Sequence, residues 1–477
     1  MHDKYFDHEP RGEFRGDFSR DTYDPFRHFS RVLMQQGRVQ LDADWNEQVS
    51  IFWHYLRALA RDIGSEHWAP TSNGSSWFKI APNADKNDLL IGAGSYYVQG
   101  VLCENGNQEM LYSQQVGYPF LDSLEIEDKK NGTSYLAYLD VWERHLTYVE
   151  DDYMREVALT GPDTAARSKI IWQVKLKEMT EIPNDDIDDY SKKIKGDYSI
   201  FLEELGDFKK PGLGMLRARA RKNEDERDAP CLVSPEARYR GAENQLYRVE
   251  IHQGGKAGKA TFKWSRENGA VIFLIREIAG TTITLDHLGR DSRFGLNPDD
   301  WVEIVDDHYA LRGHAKRLLQ VDVIDHENME VTLKKAPALD LEGIQNRHPY
   351  LRRWDHTANS NDGAVWVAES SGEDNEDWIL LEDGVQIQFP AVDEATEPPI
   401  YKSGDYWIIP ARTATGDVQW PKEKENETTG PMPKRLSPHG VIHYYAPLAI
   451  ATVDNNGDIT PIPANRDLRR KLKRPWS

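Results

Sequence analysis

The sequence predicts a mainly β, multi-domain protein with some α structure. The chain of 477 residues is longer than one ordinary hydrophobic core organises. Its clearest hydrophobic alternation has the period of two that is typical of strands, as at Ile170, Trp172, Val174 and Leu176. Its 14 Trp and 21 Tyr residues also fit a β-rich protein with large contact surfaces. We therefore expect an N-terminal arm and an amphipathic helix, then several small units that resemble β-sandwiches or barrels.

The composition narrows the range of partners and compartments. A formal net charge of -20 argues against a general binder of nucleic acids or anionic membranes. The first residues contain no apolar signal-peptide core, and no apolar run reaches transmembrane length. Cys103 and Cys231 form no disulfide framework and fit a reducing compartment, although a single bridge between them stays open. These features predict synthesis in the cytoplasm, with no signal peptide and no transmembrane segment.

Residues 1–70 are predicted to form the arm and the helix. The arm is charged and aromatic and has no hydrophobic period. Phe18, Tyr23 and Phe26 are spaced along it as if to anchor it on another surface, so they are candidate assembly residues.

The helix is predicted from about Trp45 to Ile63. Asp44 lies where an N-cap belongs, and Glu47 follows three residues later, as in a capping box. The apolar residues alternate between spacings of four and three, as in a coiled-coil seam. The seam residues are Trp45, Val49, Phe52, Leu56, Leu59 and Ile63. This seam either mediates assembly or packs on the protein's own domain, as most amphipathic helices do.

The rest of the chain divides at polar stretches into three β-rich units and a tail. Residues 71–240 are predicted to form a first β-rich domain, with an acidic surface insertion near 182–197. Residues 241–345 are predicted to form a small barrel or sandwich, and residues 346–463 a C-terminal β-rich domain. The tail, 464–477, is basic on an acidic protein, and its candidate assembly residues are Arg469, Arg470, Lys471 and Lys473. Such a tail either docks on an acidic surface, for instance a neighbouring copy, or is a solvated terminus.

Two loops resemble ligand-binding motifs without meeting their requirements. Asp42, Asp44 and Asn46 have the spacing of a calcium loop, but the later Gly and Glu that such a loop needs are missing. The segment GGKAGKA at 254–260 lacks the first Gly and the final Ser or Thr of a phosphate-binding loop. Neither segment predicts a metal site or a nucleotide site.

One pair of histidines and three pairs of acids are the remaining candidates for a metal site or for catalytic residues. His439 and His443 are spaced by four in a strand-like segment, which is a weak pattern for a metal. Three pairs of neighbouring acids could supply the two carboxylates that a glycosidase needs. They lie beside predicted strands and turns, where acids exposed to solvent are common. These pairs are Asp299–Asp300, Asp306–Asp307 and Glu382–Asp383. Nothing selects one of them, so the sequence predicts no catalytic residue, no metal and no cofactor.

Four long segments carry a resemblance to a known family. They are GDFSRDTYDPFRHFSRVLMQQGRVQLDADWNEQ at 16–48, YLAYLDVWERHLTYVEDDYMREVALTGPDTAARSKIIWQVKL at 135–176, YRVEIHQGGKAGKATFKWSRENGAVI at 247–272 and GDYWIIPARTATGDVQWP at 404–421. Together they resemble an uncharacterised bacterial family whose members are often encoded in gene clusters for phage-tail-like contractile injection systems. The resemblance implies a particle protein of the baseplate or its periphery, a fibre-like or cage-like accessory, or a packaged cargo. It supplies no catalytic residue.

Three functions follow from these observations. The first is a structural or accessory subunit of a contractile injection particle, in contact with other subunits, present as a homo-oligomer or in many copies, and released with the particle by lysis. The second is a module that binds glycans or cell envelope on an aromatic groove, with Trp366, Trp378 and Trp407 as platforms. The third is a packaged hydrolase that uses paired carboxylates or a metal. The missing catalytic motifs place the hydrolase last.

Overall fold

The computed structural model describes most of the chain. The described residues are 14–70, 76–120, 123–180, 182, 186–206, 212–221, 238–289, 295–312, 317–339, 343–370, 377–391, 400–423 and 432–472.

The described residues form four α-helices and many short strands. The α-helices are α1 (Asp42–Gly64), α2 (Ile187–Gly196), α3 (Tyr198–Leu205) and α4 (Asp307–Arg312). The strands are β1 (His67–Pro70), β2 (Ile80–Pro82), β3 (Leu89–Ile91), β4 (Gly94–Val98), β5 (Val101–Asn105), β6 (Met110–Leu111), β7 (Ser134–Leu146), β8 (Arg167–Glu178), β9 (Arg217–Ala220), β10 (Gln245–Gln253), β11 (Thr261–Ser265), β12 (Ile272–Ala279), β13 (Thr282–Leu285), β14 (Trp301–Val305), β15 (Leu319–Asp325), β16 (Glu330–Leu333), β17 (Tyr350–Trp354), β18 (Val365–Trp366), β19 (Glu369–Ser370), β20 (Ile379–Leu380), β21 (Val385–Pro390), β22 (Tyr406–Arg412), β23 (Asp417–Val418), β24 (Lys422–Glu423), β25 (Met432–Pro433), β26 (Tyr444–Thr452) and β27 (Lys471–Leu472). The predicted fold class, mainly β with some α structure, is confirmed.

A long antiparallel sheet in the order β26-β7-β8 organises the N-terminal half. Alternate residues of β7 enter two separate cores. Ala137 and Leu139 pack towards the small sheets β27-β1-β4-β5 and β2-β3-β6, whereas Leu136 and Tyr138 pack towards α2 and α3. Because both faces of β7 are covered, its sequence is nearly continuously apolar.

The acidic segment near 182–197 is not the surface insertion that the sequence predicts. In its described part it contains α2, which is followed directly by α3. Ile187 and Ile194 of α2 and Phe201 and Leu205 of α3 are buried against the sheet, while the acids point outwards. The local excess of Asp and Lys conceals this apolar stripe, which recurs at helical spacing.

The C-terminal half contains a sandwich and a barrel. The sheet β18-β11-β10-β22-β23 packs on the sheet of β19, β20, β21 and β9 around an apolar core. Strands β12-β13-β16-β15-β14-β17 close into a barrel with its own core.

These pairings correct the predicted domain boundaries. Strands β10 and β11, predicted in the 241–345 unit, belong to the sandwich through β22. Strand β17 lies beyond that unit but closes the barrel between β12 and β14. Likewise β26, predicted in 346–463, pairs with β7. Local periodicity identifies strands, but it holds no information on which distant strands pair.

Candidate interaction surface

Helix α1 begins three residues earlier than the predicted start. The N-cap position is Leu41, which is extended and makes no capping bond with its side chain. Asp42 begins the helix and accepts a 2.9 Å hydrogen bond from the backbone N–H of Ser19. The prediction of Asp44 as N-cap is therefore wrong, because Asp44 lies in the first turn, where its charge complements the helix dipole.

Glu47 also has a different role from the predicted capping box. Its carboxylate accepts a 2.6 Å hydrogen bond from the Thr22 hydroxyl of the arm. Beside it, Gln48 accepts a 2.8 Å bond from the backbone N–H of Val32. Residues of α1 thus hold the arm along one side of the helix.

The predicted seam of α1 faces outwards. Trp45 is 73% exposed, and the other five seam residues are 51–60% exposed. Within the described residues the stripe therefore does not pack on its own domain, which was the alternative that the sequence left open. Exposed apolar residues of the arm extend the same type of surface: Phe26, Phe29, Leu33, Met34, Val39 and Leu41. We call these arm residues and the seam together the apolar face.

The opposite side of α1 holds the helix to the protein. Ala43 and Ile51 are buried there. Trp53 donates a 3.2 Å hydrogen bond from Nε1 to Glu143, and the Arg57 guanidinium lies 4.6 Å from the centre of the Tyr444 ring. A Cβ atom at Gly64 would clash with the ring of Trp68, so glycine lets the helix end pack closely. The helix is thus fixed to the body by Ala43, Ile51 and two polar contacts, while the six seam residues lie on the outer side.

The start of the arm is anchored at the central sandwich. Arg15 makes a 2.8 Å ion pair with Glu250 of β10. Asn268 donates hydrogen bonds of 3.1 and 3.0 Å to the carbonyls of Phe14 and Gly16. These contacts fix the arm through its backbone and one guanidinium.

The three aromatic residues predicted to anchor the arm have different surroundings. Phe18 is half-buried and packs edge-on against His145 of the same chain, at 6.4 Å between ring centres. Tyr23 is buried. Phe18 and Tyr23 are thus not free to contact a partner, which corrects that prediction, whereas Phe26 is 60% exposed and belongs to the apolar face.

Glu250 belongs to a buried charge layer that the sequence did not reveal. Alternate residues of β10 enter the sandwich core, and the residues between them, Arg248 and Glu250, face the other way. Arg248 donates a 2.6 Å hydrogen bond to Glu250, and Lys263 lies 3.5 Å from it. Lys263 also binds both carboxylate oxygens of Glu303 in the barrel at 2.8 Å. The layer thus joins sandwich and barrel.

The pKa values agree with permanently charged acids in this layer. Burial opposes the charge of Glu250, but Arg15, Arg248 and Lys263 hold its pKa well below the ordinary value. Burial opposes the charge of Glu303 as well, yet Lys263 leads the interactions that lower its pKa to about 2. The signal in the sequence is the pair of charges at alternate positions of β10, Arg248 and Glu250, which a strand exposed on one face would also show.

The described part of the basic tail, residues 464–472, folds back on its own chain. Arg469 is 9% exposed, pairs with Asp467 at 2.6 Å and donates a 3.0 Å hydrogen bond to the Trp77 carbonyl. Lys471 lies in β27, which pairs in parallel with β1. The docking prediction is therefore wrong for Arg469, which is buried in the fold, whereas the side chain of Lys471 is exposed and its docking role stays a prediction. Arg470 is half exposed near Glu66, and Lys473 lies outside the described residues.

Acids of the candidate catalytic pairs are engaged in ion pairs. Asp307 binds Arg144 at 2.7 Å, and Asp306 binds Arg347 at 3.1 Å. In the third pair, Glu382 binds Arg266 at 2.8 Å.

The two predicted strand histidines have separate surroundings. His443 binds Asp140 at 2.7 Å and stacks on Trp142, whereas His439 pairs through its backbone with Tyr406. Within the described residues, no group of three or more His, Cys, Asp or Glu side chains has the arrangement of a metal site.

The three tryptophans proposed as glycan platforms do not form one groove. Trp407 is 1% exposed and lies in the sandwich core. Trp378 is covered by the Arg219 guanidinium, 3.8 Å from the ring centre. Trp366 is 39% exposed.

Comparisons with known proteins give one family. Residues 14–192 and 207–459 match a family of unknown function, DUF6519, and the chain belongs to this family. No match is found among curated proteins or among solved structures. Among the helices of the described residues, none combines the length and the apolar character needed to cross a membrane.

Proposed function

We propose that this protein is a structural or accessory subunit of a phage-tail-like contractile injection particle, in the baseplate or at its periphery. It acts through protein–protein contacts, and the apolar face is its main contact surface. The observation that carries the proposal is the outward orientation of the α1 seam, all six residues of which are more than half exposed.

The size of this surface supports a contact role. Two of the six seam residues are aromatic, with about 150–250 Å² of surface each, and four are aliphatic, with somewhat less. At the fractions exposed, the six together present roughly 600–700 Å². The largest apolar patch of an ordinary monomer is about 300–600 Å² and is often functional. Contact with another protein would remove this surface from water.

The rigidity of the support also favours a contact role. The helix is fixed to the body by Trp53 and Arg57, and the arm is tied to it by Thr22 and Val32. A surface that is ordered before binding loses less conformational entropy when a partner arrives. The particle itself is proposed from the resemblance of the four segments at 16–48, 135–176, 247–272 and 404–421.

The test is purification of a tagged chain from the native host under gentle lysis, followed by electron microscopy and mass spectrometry. Stoichiometric co-purification with sheath, tube and baseplate proteins is the expected result. Recovery as a free protein, with particles intact and lacking it, would contradict the proposal.

A further inference from the structure

We propose that the α1 seam pairs antiparallel with the α1 seam of a second copy of this chain. The inference rests on the proposed function, since it names the partner of the apolar face. It would make the assembly unit a two-fold dimer, the commonest symmetric arrangement of soluble proteins.

The spacing of the seam is the same when read in either direction. The alternation of four, three, four, three and four residues therefore matches itself in an antiparallel pair. In that arrangement Trp45 lies opposite Ile63 of the second copy, Val49 opposite Leu59, and Phe52 opposite Leu56. In each of these three pairs a larger residue lies opposite a smaller one. No pair combines two of the largest side chains, which favours close packing along the seam. A parallel pair would place Trp45 on Trp45 and Ile63 on Ile63.

The charges of α1 favour the same orientation. The N-terminal half carries Asp42, Asp44 and Glu47, whereas the C-terminal half carries Arg57, Arg61 and Asp62. In an antiparallel pair the first turn, with Asp44, lies near the last turn of the second copy, with Arg61, whereas Arg57 faces the body, where it contacts Tyr444. A parallel pair would place the acidic first turns of the two copies side by side, and it would align the two helix dipoles unfavourably.

The available area is sufficient for a stable dimer. The helix has 23 residues, which corresponds to about 35 Å. If most of the exposed seam is buried on both copies, the interface covers about 1,200 Å², above the ~1,000 Å² expected of a biological contact. Because α1 is attached to the body by its opposite side, a second protein has access to the seam.

The first measurement is the molar mass of the full-length protein in solution over a concentration series, by sedimentation and light scattering. We expect a dimer that dissociates on dilution. Phe52→Glu should weaken it at least 100-fold, because a charge would enter the centre of the seam. Tyr153→Glu is the matched control, since Tyr153 is 95% exposed elsewhere, and it should leave the dimer unchanged.

The second measurement reads the orientation with a short bis-maleimide linker in a Cys231→Ser background. Cys103 is buried, and burial raises the pKa of its thiol, so it should not react. A mixture of Val49→Cys and Leu59→Cys proteins should give a cross-linked dimer, and each variant alone should not. Cross-linking of Val49→Cys to itself, without the mixed product, would show a parallel pair and overturn the inference.

Three other results would also overturn it. They are a wild-type monomer at every concentration, a Phe52→Glu protein that remains dimeric, and a monomer that dimerises only after removal of residues 1–13, which would identify that segment as the occupant. None of these results decides the proposed function, because host purification tests particle association separately. Circular dichroism shows that loss of the dimer is not loss of the fold if Phe52→Glu melts like wild type at a concentration low enough for wild type to be monomeric, since dimerisation itself adds stability by mass action.

Discussion

Helices α1 and α2 carry the same amphipathic signal but place it in opposite environments. In α2, Ile187 and Ile194 are buried on the sheet of the same chain, and the charges face water. In α1, residues of the seam such as Phe52 and Leu56 face water, and other residues, among them Ile51 and Trp53, make the intramolecular contacts. The difference teaches that an apolar stripe identifies a face that needs a partner, but not whether the partner is the same chain.

The largest expected effect contrasts two phenylalanines. Phe201→Ala in α3 should lower the free energy of unfolding by about 3–5 kcal/mol, because Phe201 is fully buried beside α2. Phe52→Ala in α1 should change it by less than about 0.5 kcal/mol when measured in the monomer at low concentration. Urea denaturation of both variants checks the pair. Equal losses would show that the two helices are packed alike.

A second contrast compares two ion-paired lysines. Lys263→Met should cost about 3 kcal/mol, because it leaves Glu250 and Glu303 buried without their shared cation. Lys130→Met removes the partner of Glu178 at a site where Lys130 is 62% exposed, and it should cost far less than Lys263→Met. Thermal melts of the two variants measure the difference. A loss from Lys130→Met as large as that from Lys263→Met would contradict a stabilising role specific to the buried layer.

A third test concerns the anchoring of the arm. Arg15→Ala should cost about 1–2 kcal/mol, less than Lys263→Met, because Glu250 keeps Arg248 and Lys263. The arm should then be cleaved faster by trypsin at Arg20 and Arg27, while the body stays intact. Arg27→Ala, which removes an exposed charge, is the control and should leave the rate at Arg20 unchanged. Equal cleavage rates at Arg20 in Arg15→Ala and wild type would show that Arg15 does not hold the arm.

A pH effect is expected from Asp405 in the sandwich. Burial raises the pKa of this carboxyl to about 7, against 3.8 as its ordinary value. Between these values the folded form binds a proton that the unfolded form has lost, so stability should fall as the pH rises from about 4 to 7. Asp405→Asn should remove this component, so its effect should be more stabilising at pH 8 than at pH 4, by at most about 4 kcal/mol. An unchanged pH profile in urea titrations of Asp405→Asn would contradict the buried, protonated carboxyl.

Much of the fold class and of the candidate surface could be predicted from the sequence. The spacing of Val49, Phe52 and Leu56 identified both the helix and its apolar side, since each is a local property. The start of the helix was misplaced because the Asp42 contact with Ser19 is formed only in the folded protein. The barrel limits were wrong because β17 closes the barrel through partners far away in the sequence.

Whether the seam faces the body or the solvent was not predictable from the sequence. Whether an amphipathic helix turns its apolar side inwards depends on what else the body offers, and here Glu143 and Tyr444 bind the other side of α1. The charge layer was missed for a similar reason. In the sequence, Glu250 and Lys263 have the alternation of a strand face exposed to solvent. In the folded protein both are buried, and Lys263 binds Glu303 of the barrel.

The most direct test of the central claim, that the α1 seam is a contact surface between chains, uses tagged Phe52→Asp expressed in the native host beside tagged wild type. The account predicts that the variant is folded, is as abundant as wild type, and is absent from the assemblies that wild type joins. A folded variant that still assembles at the wild-type level would contradict it.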